Sequence, residues 1–198
     1  MYANHVKRVL DIIGAVILMP IFLVALIVCG PCIFMEDKGD IFYKAKRRGY
    51  KGKTFNMLKF RSMKMDAPDL RNKDDSTFNS EKDTRITKVG KVLRKTSIDE
   101  VPQIVNVFKG DMSFIGPRPT MATKPMSEYD QKRIDRLQVK PGITGYSQAY
   151  YRNSLDQESK MELDAEYAKN VSFPLDVKIF LKTIETVIKR KNIYKKEV

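Results

Sequence analysis

Histidine is nearly absent from this chain, with His5 the only one in 198 residues. That all but excludes a zinc site built on histidines and a Ser-His-Asp triad. Chemistry must then come from Asp, Glu, Lys, Arg, Ser or Tyr. Cysteine is scarce too, with two residues, both in Cys29-Gly30-Pro31-Cys32. The spacing matches a redox dithiol, but that motif needs a strand-to-helix turn in a βαβ unit. Here it closes an apolar run, where a thiol is inert. Nothing else suggests a disulfide framework, so a reducing compartment is expected. Acidic residues are outnumbered, 24 Asp and Glu against 37 Lys and Arg, for a net charge of +13. Such a surplus calls for an anionic partner: nucleic acid, an anionic membrane face or phosphorylated substrates.

Charge itself is missing from Ile12 to Met35, a run of 24 residues. As a helix rising about 1.5 Å per residue, the run is long enough to cross a hydrocarbon core of about 30 Å. It is too long for a cleaved signal peptide and too poor in small residues near its end. Pro20 sits in the middle, where it kinks or breaks a helix. Lys7 and Arg8 precede the run, and Lys44, Lys46, Arg47, Arg48, Lys51 and Lys53 follow it. Positive charge marks the cytoplasmic side, and here it lies on both sides. Two arrangements fit: a spanning helix kinked at Pro20, or a helix-break-helix that dips into the inner leaflet and returns. Asp11, at the membrane entrance with Lys7 and Arg8, is expected to pair with one of them. The chain thus divides into a membrane segment, residues 1–36, and a cytoplasmic domain, residues 37–198, long enough for a core.

The domain opens with two expected strands, Asp40–Tyr43 and Thr54–Phe60, joined by the basic turn Arg48–Gly52. Lys59 and Arg61 fall on one face if the second strand continues, since side chains repeat every two residues. Two cations there can grip a phosphate, or simply form a solvated basic edge. Residues 66–83 are charged and poor in large apolar groups, and read as a loop.

The chain is organised around residues 94–119, Arg-Lys-Thr-Ser-Ile-Asp-Glu-Val-Pro-Gln through Gly-Pro-Arg-Pro. Asp99 and Glu100 stand between the basic pair Arg94-Lys95 and a loop in which Pro117 and Pro119 fix the backbone around Arg118. This layout suits phosphate held near a carboxylate nucleophile or a metal ion. Ser97 to Glu100 also fits a helix capping box. Pro102 argues instead for a helix that begins near Val101, just after the two acids.

Past this stretch, Ser127–Leu137 reads as a polar, solvated helix and residues 140–146 as a turn-rich loop. The glycines of that loop let backbone approach a ligand closely. Tyr146, Tyr150 and Tyr151 can stack on a base or simply pack. A helix over Glu158–Lys169 carries Asp164. Pro174–Asn192 is the clearest amphipathic helix, with a stripe of Val177, Phe180, Leu181, Ile184, Val187 and Ile188. The stripe suits a core-facing or an interfacial helix, and the core is the expectation here. The fold class is α+β, mainly helical with a small β-hairpin.

Taken in order, these motifs resemble one family, the bacterial sugar transferases, and specifically the small monotopic polyprenyl-phosphate phosphoglycosyl transferases. The residues that carry the resemblance are Lys7-Arg8-x-x-Asp11 with its apolar run, Lys59-Phe60-Arg61-Ser62-Met63, Asp83-x-Arg85-Ile86-Thr87 and Ser97-Ile98-Asp99-Glu100-Val101-Pro102-Gln103. They continue with Lys109-Gly110-Asp111-Met112-Ser113, Gly116-Pro117-Arg118-Pro119, Pro141-Gly142-Ile143-Thr144-Gly145 and Leu175-Asp176-Val177-Lys178. Each piece is weak alone; the ordered set is specific and covers nearly the whole chain.

The resemblance implies transfer of a phosphosugar from a UDP-sugar to undecaprenyl phosphate with release of UMP. It implies a need for Mg2+, Asp99 as a nucleophile that forms a covalent phosphosugar intermediate and touches the metal, and Glu100 as its dyad partner. Phosphate and nucleotide contacts map onto Lys59, Arg61, Arg94, Arg118, Arg152 and Asp164. The N-terminal segment becomes a re-entrant hairpin broken at Pro20, on the cytoplasmic face of the bacterial inner membrane. Its partners are then the donor, the lipid acceptor and membrane lipids, with no nucleic acid. The chain departs from the family pattern at Met19-Pro20, at Tyr146-Ser147-Gln148 and at Tyr150-Tyr151-Arg152, so the resemblance does not carry the identity of the sugar. A competing reading is a non-enzymatic, membrane-attached basic module that binds anionic lipid or nucleic acid. It accounts for the charge but not for the dyad.

Overall fold

A computed structural model describes residues 2–70, 80, 83–151 and 154–189. The apolar run lies within one long helix, α1 (Lys7–Asp37). Helical structure continues through Pro20 and Pro31. The break expected at Pro20 is therefore not a break in secondary structure: a proline deletes one donor, and the surrounding ladder can close around it. The helix stops at Lys38, which is left-handed at φ 58° and donates its N–H to the Phe34 carbonyl. Lys7, Asp11, Ala15 and Phe22 are buried on one face, as the helical repeat requires. Val16, Ile17, Ile21, Val24, Ile27 and Val28 are exposed.

The hairpin forms, with β1 (Phe42–Arg48) and β2 (Thr54–Phe60) antiparallel from Phe42 opposite Phe60 to Arg48 opposite Thr54. A 3-10 turn, Tyr50–Gly52, joins them, with Lys51 at φ 52° and Gly52 at φ 76°. The first strand starts later and runs longer than expected, because β2 pairs along its full length and draws the basic residues 44–48 into the ladder. Asn106 occupies the open edge of β2: its side chain accepts from the Leu58 amide (2.8 Å) and donates to the Asn56 carbonyl (2.8 Å). That satisfies two edge groups that would otherwise be unpaired.

The chain then forms α2 (Lys88–Thr96), α3 (Gln103–Lys109), β3 (Ser113–Ile115), β4 (Thr120–Met121) and α4 (Gln131–Arg136). It ends with β5 (Gly142–Thr144), α5 (Tyr146–Tyr150), α6 (Gln157–Lys169) and α7 (Phe173–Ile188). The α2 helix is capped by Thr87, whose hydroxyl accepts from the Gly90 amide (2.9 Å). Beyond the hairpin, β4 pairs with the other edge of β1, and β3 pairs in parallel with β5. The segment read as a ligand-approach loop is thus partly strand. A Cβ at Gly142 would collide with the Gly116 backbone, so the close approach that this glycine permits is between two chain segments.

Two cores hold these pieces. In the larger, Phe22 of α1 meets Phe42 and Phe60 of the hairpin at ring-centroid distances of 6.4 and 6.3 Å. Ala45, Met57, Leu93, Ile104, Val107 and Met112 complete it. Fully burying a side chain such as Phe60 contributes about 1.5–3 kcal/mol. The smaller core gathers Ile115, Ala149, Tyr167 and Ile179, and Phe114 packs against both.

The expectation for the last helix is overturned. Its buried side chains are Asp176 and Ile179. The stripe Val177, Phe180, Leu181, Ile184, Val187 and Ile188 is exposed, Phe180 at 52% and Leu181 at 60%. The domain offers α7 a polar seat instead. Asp176 accepts from Tyr2 (2.7 Å), Tyr167 (2.6 Å) and Lys7. Thr183 and Thr186 bond Thr144 and the Ala149 carbonyl.

Candidate active site

Asp99 and Glu100 lie in a 3-10 turn, Ile98–Glu100, between α2 and α3. No capping box forms. Ser97 is left-handed at φ 60°, ends α2 and caps nothing with its side chain. Pro102 stands at the N-cap of α3, so the two acids precede that helix, as the proline suggested.

Glu100 is held by two cations. Lys59 Nζ donates to its Oε1 at 2.5 Å, and the Arg118 guanidinium lies 3.6 Å from the same oxygen. Burial alone would raise its pKa, but Lys59 and Arg118 outweigh burial and hold it well below the usual carboxylate range. Asp99 behaves oppositely. It is 9% exposed, and among the described residues no donor hydrogen-bonds its carboxylate. Its removal from water pushes its pKa up to about 6, Lys59 offsets part of that, and the neighbouring Glu100 charge adds to it. The dyad is therefore one locked carboxylate beside one carboxyl whose pKa is raised to about 6 and which, among the described residues, has no hydrogen-bond donor on it. Arg94, on α2, donates to the Ser62 hydroxyl (2.9 Å) and lowers the pKa of Asp99 through its charge.

Lys59, Arg94 and Arg118 thus converge on the dyad, as their motifs suggested. Arg61 does not. It lies past the end of β2 and turns away from Lys59, forking onto Asp37 at 2.5 and 2.6 Å and bonding the Asp40, Met63 and Ile33 carbonyls. The shared-face expectation fails because the strand stops at Phe60, and Arg61 serves to tie down the end of α1. Asp164 also sits elsewhere, 2% exposed and ion-paired to Arg136 at 2.7 Å. It is buried behind the Arg118 loop, where Arg136 links it to the Arg118 carbonyl. Arg152 lies outside the described residues. Tyr146 and Tyr150 stack on each other at 4.7 Å.

The membrane-entrance residues hold the domain rather than one another. Arg8 donates to the Val107 (2.6 Å) and Phe108 (2.8 Å) carbonyls. Asp11 accepts from the Ser113 hydroxyl (2.9 Å) and the Phe114 amide (3.0 Å). Lys7 pairs with Asp176, so the expected pairing of Asp11 with Lys7 or Arg8 is replaced by longer-range contacts. At the other end of α1, Glu36 accepts from the Lys88 (2.6 Å) and Val89 (3.0 Å) amides and so caps α2.

The sequence reading passed over Glu36, Arg136, Ser147 and Asp176 as individuals. Asp176 carried a signal, an acid in an otherwise apolar first turn. Arg136 carried none, because a polar helix gives no hint which of its cations turns inward.

Among the described residues no group of three His, Cys, Asp or Glu side chains forms a metal cage. The donor chemistry still suits Mg2+. That ion binds through one or two carboxylates plus substrate phosphates, and Asp99 is a carboxylate without protein donors, while Glu100 is occupied by Lys59 and Arg118.

Comparison with known proteins gives the family. The family model for bacterial sugar transferases matches residues 2–190. A sugar transferase of Bacillus subtilis, EpsL, is 38% identical over 92% of this chain and 87% of its own length. The UDP-N-acetylgalactosamine-undecaprenyl-phosphate N-acetylgalactosaminephosphotransferase of Aeromonas hydrophila is 39% identical over 92% of this chain. The undecaprenyl-phosphate galactose phosphotransferase of Salmonella typhimurium is 34% identical over 97% of it. This chain spans 44% and 42% of the length of those last two.

Proposed function

Because this chain belongs to the bacterial sugar transferase family, we propose that it moves a phosphosugar from a UDP-sugar to undecaprenyl phosphate through a covalent intermediate on Asp99. The observation that carries the reading is the asymmetry of the dyad: Glu100 is neutralised by Lys59 and Arg118, while no donor among the described residues bonds Asp99. A carboxylate without hydrogen bonds keeps its electron pairs for attack.

In the first step a carboxylate oxygen of Asp99 attacks the sugar-bearing phosphorus. The bond from that phosphorus to the bridging oxygen breaks, and its electron pair leaves with UMP. In the second step an oxygen of undecaprenyl phosphate attacks the same phosphorus, and Asp99 departs as a carboxylate. Lys59, Arg94 and Arg118 lie where they offset the charge that gathers around phosphorus. Each charged hydrogen bond to phosphate is worth about 1.5–3 kcal/mol. A magnesium ion held by Asp99 and the donor diphosphate would supply further charge neutralisation there.

The membrane arrangement rests on the two ends of α1. Arg8 holds α3 and Glu36 caps α2, so both ends grip one folded domain. A helix crossing a hydrocarbon core of about 30 Å separates its ends onto opposite sides. Ends bound to the same domain favour a segment that enters and leaves on the cytoplasmic side. The exposed stripe of α7 extends the apolar surface: Phe173 meets Tyr2 at 5.9 Å beside the entrance to α1. Lys178, Lys182 and Lys189 flank it, as suits an interfacial helix on anionic lipid.

The sugar is left to experiment, since relatives named for N-acetylgalactosamine and for galactose match this chain comparably well. The test is the intact mass of the protein after exposure to magnesium and a panel of UDP-sugars without lipid acceptor. A sugar-phosphate adduct that is absent in Asp99→Asn supports the covalent step and names the sugar. No adduct with any donor, together with no UMP when undecaprenyl phosphate is added, overturns the reading.

A further inference from the structure

Arg118 sits in a loop whose backbone is poor in donors, since Pro117 and Pro119 have no N–H. Its own amide is the only one in the Pro-Arg-Pro triplet, and it lies near enough to Asp164 to offset part of the pKa rise that burial gives that carboxyl. The Arg118 carbonyl accepts from the Arg136 guanidinium at 2.6 Å. Arg136 in turn donates to Asp164 at 2.7 Å, and the Ser147 hydroxyl donates to the other Asp164 oxygen at 2.8 Å. The Pro117 carbonyl accepts from the Gly142 amide at 3.0 Å. Arg136 and Asp164 are 5% and 2% exposed, while the Arg118 side chain is 53% exposed beside Glu100. Arg136 of α4 thus meets the Arg118 carbonyl and Asp164 of α6 at once, and Ser147 of α5 holds Asp164 from its other oxygen.

We infer that Arg136, Asp164 and Ser147 form a buried clamp that fixes the Arg118 backbone, and that they are positioning residues for the donor phosphates without touching substrate. The inference rests on the transferase reading for its catalytic half. An isolated buried ion pair is weak support for stability, because desolvation opposes its attraction. The expected return on this pair is geometric: an arginine that must meet phosphate is held from behind, so its side chain enters the site from one fixed origin. Displacement of a substrate-positioning group by about 1 Å can lower a rate about 100-fold.

Arg136→Lys tests this, since a lysine keeps the charge opposite Asp164 but is shorter than the guanidinium whose one terminal nitrogen reaches Asp164 and the Arg118 carbonyl together. Ser147→Ala is the milder second variant, for use if Arg136→Lys does not fold. Two readouts apply to detergent-solubilised full-length protein. Hydrogen exchange of a peptide covering 117–119 reports the Arg118 amide, the one amide there. The clamp requires slow exchange in the wild type and faster exchange in Arg136→Lys, with the melting temperature nearly unchanged. Exchange at open-loop rates in the wild type overturns the clamp whatever the substrate proves to be.

The second readout is a double-mutant cycle on kcat/KM for the UDP-sugar. Arg136→Lys is expected to lower it about 10- to 100-fold, and to have no further effect in an Arg118→Ala background. An undiminished loss in that background refutes action through Arg118. A wild type inert toward every UDP-sugar sinks the transferase reading, and the exchange result still decides the clamp.

Discussion

Replacing Asp99 by Asn is expected to make the folded protein more stable at pH 8 while abolishing transfer. The carboxyl is buried, lies beside the Glu100 charge and is only partly offset by Lys59, so its pKa rises from 3.8 to about 6. Between those values the folded state holds the proton and the unfolded state does not. Stability from this group is therefore complete below about pH 4 and is lost as pH rises through 6. At about 1.4 kcal/mol per pH unit, the full loss is about 3 kcal/mol. Asn keeps the shape and carries no charge to desolvate. The variant should exceed the wild type by about 1 kcal/mol at pH 4.5 and by about 3 kcal/mol at pH 8. For a domain of this size that is roughly 6–12 °C in melting temperature. Circular dichroism melts in one detergent at pH 4.5, 6 and 8 measure the difference directly, with other titrating groups cancelling between the two proteins. A difference that stays constant across that range, or a variant less stable at pH 8, refutes the account of Asp99 as a strained, uncompensated carboxylate. Adding magnesium at pH 8 should raise the melting temperature of the wild type and not of the variant, if Asp99 is the metal contact.

Three further outcomes follow from the same geometry. The kcat/KM for the donor should climb as Asp99 ionises, with a midpoint near pH 6, and Lys59→Gln should move that midpoint upward because Lys59 is the largest influence favouring the Asp99 anion; an unmoved profile would separate the pH dependence from the dyad. Arg118→Ala should lower kcat/KM about 100- to 1000-fold yet change stability by less than about 1 kcal/mol, since its pairing with Glu100 is long and exposed; equal and small effects on both would remove Arg118 from the chemistry. The chain has no tryptophan, so Phe180→Trp introduces a unique fluorophore on the exposed face of α7; in vesicles containing anionic lipid its emission should shift to the blue and be quenched by brominated acyl chains, whereas water-like emission would show that the stripe of α7 does not meet the bilayer.

The hairpin, the long apolar helix and the dyad were legible because each has a local signature. Strand alternation flanks a glycine turn, 24 residues lack charge, and Pro102 fixes where α3 can begin. What could not be read depended on partners far away in sequence. Arg61 and Lys59 look equivalent by spacing, and only the end of β2 at Phe60 sends one to Asp37 and the other to Glu100. The parallel pairing of β3 with β5 joins segments about thirty residues apart, and a three-residue strand carries too little pattern to announce itself. The face of α7 was misread because an apolar stripe usually meets protein. Here the domain offers a polar seat, Tyr2, Lys7 and Tyr167 around Asp176, and the helix turns its apolar side outward.

The buried acids show why the charge surplus by itself could not locate the site. Asp164 and Asp176 each meet a basic group and hydroxyl donors, and both are spent on architecture. Glu100 meets two cations and is likewise spoken for. Asp99 alone in this set has cations near it and no hydrogen bond from any of them. If pairing had been optimised throughout, Lys59 would bridge both members of the dyad, and the pKa of Asp99 would fall with that of Glu100. Leaving Asp99 unpaired costs stability in the apo protein. On the proposed reaction, that cost is recovered when a phosphate-bearing donor, with its cation, enters the space beside it. The same argument predicts that the stabilisation of Asp99→Asn over the wild type should shrink once donor and magnesium are present, because only the wild type then gains a partner for its charge.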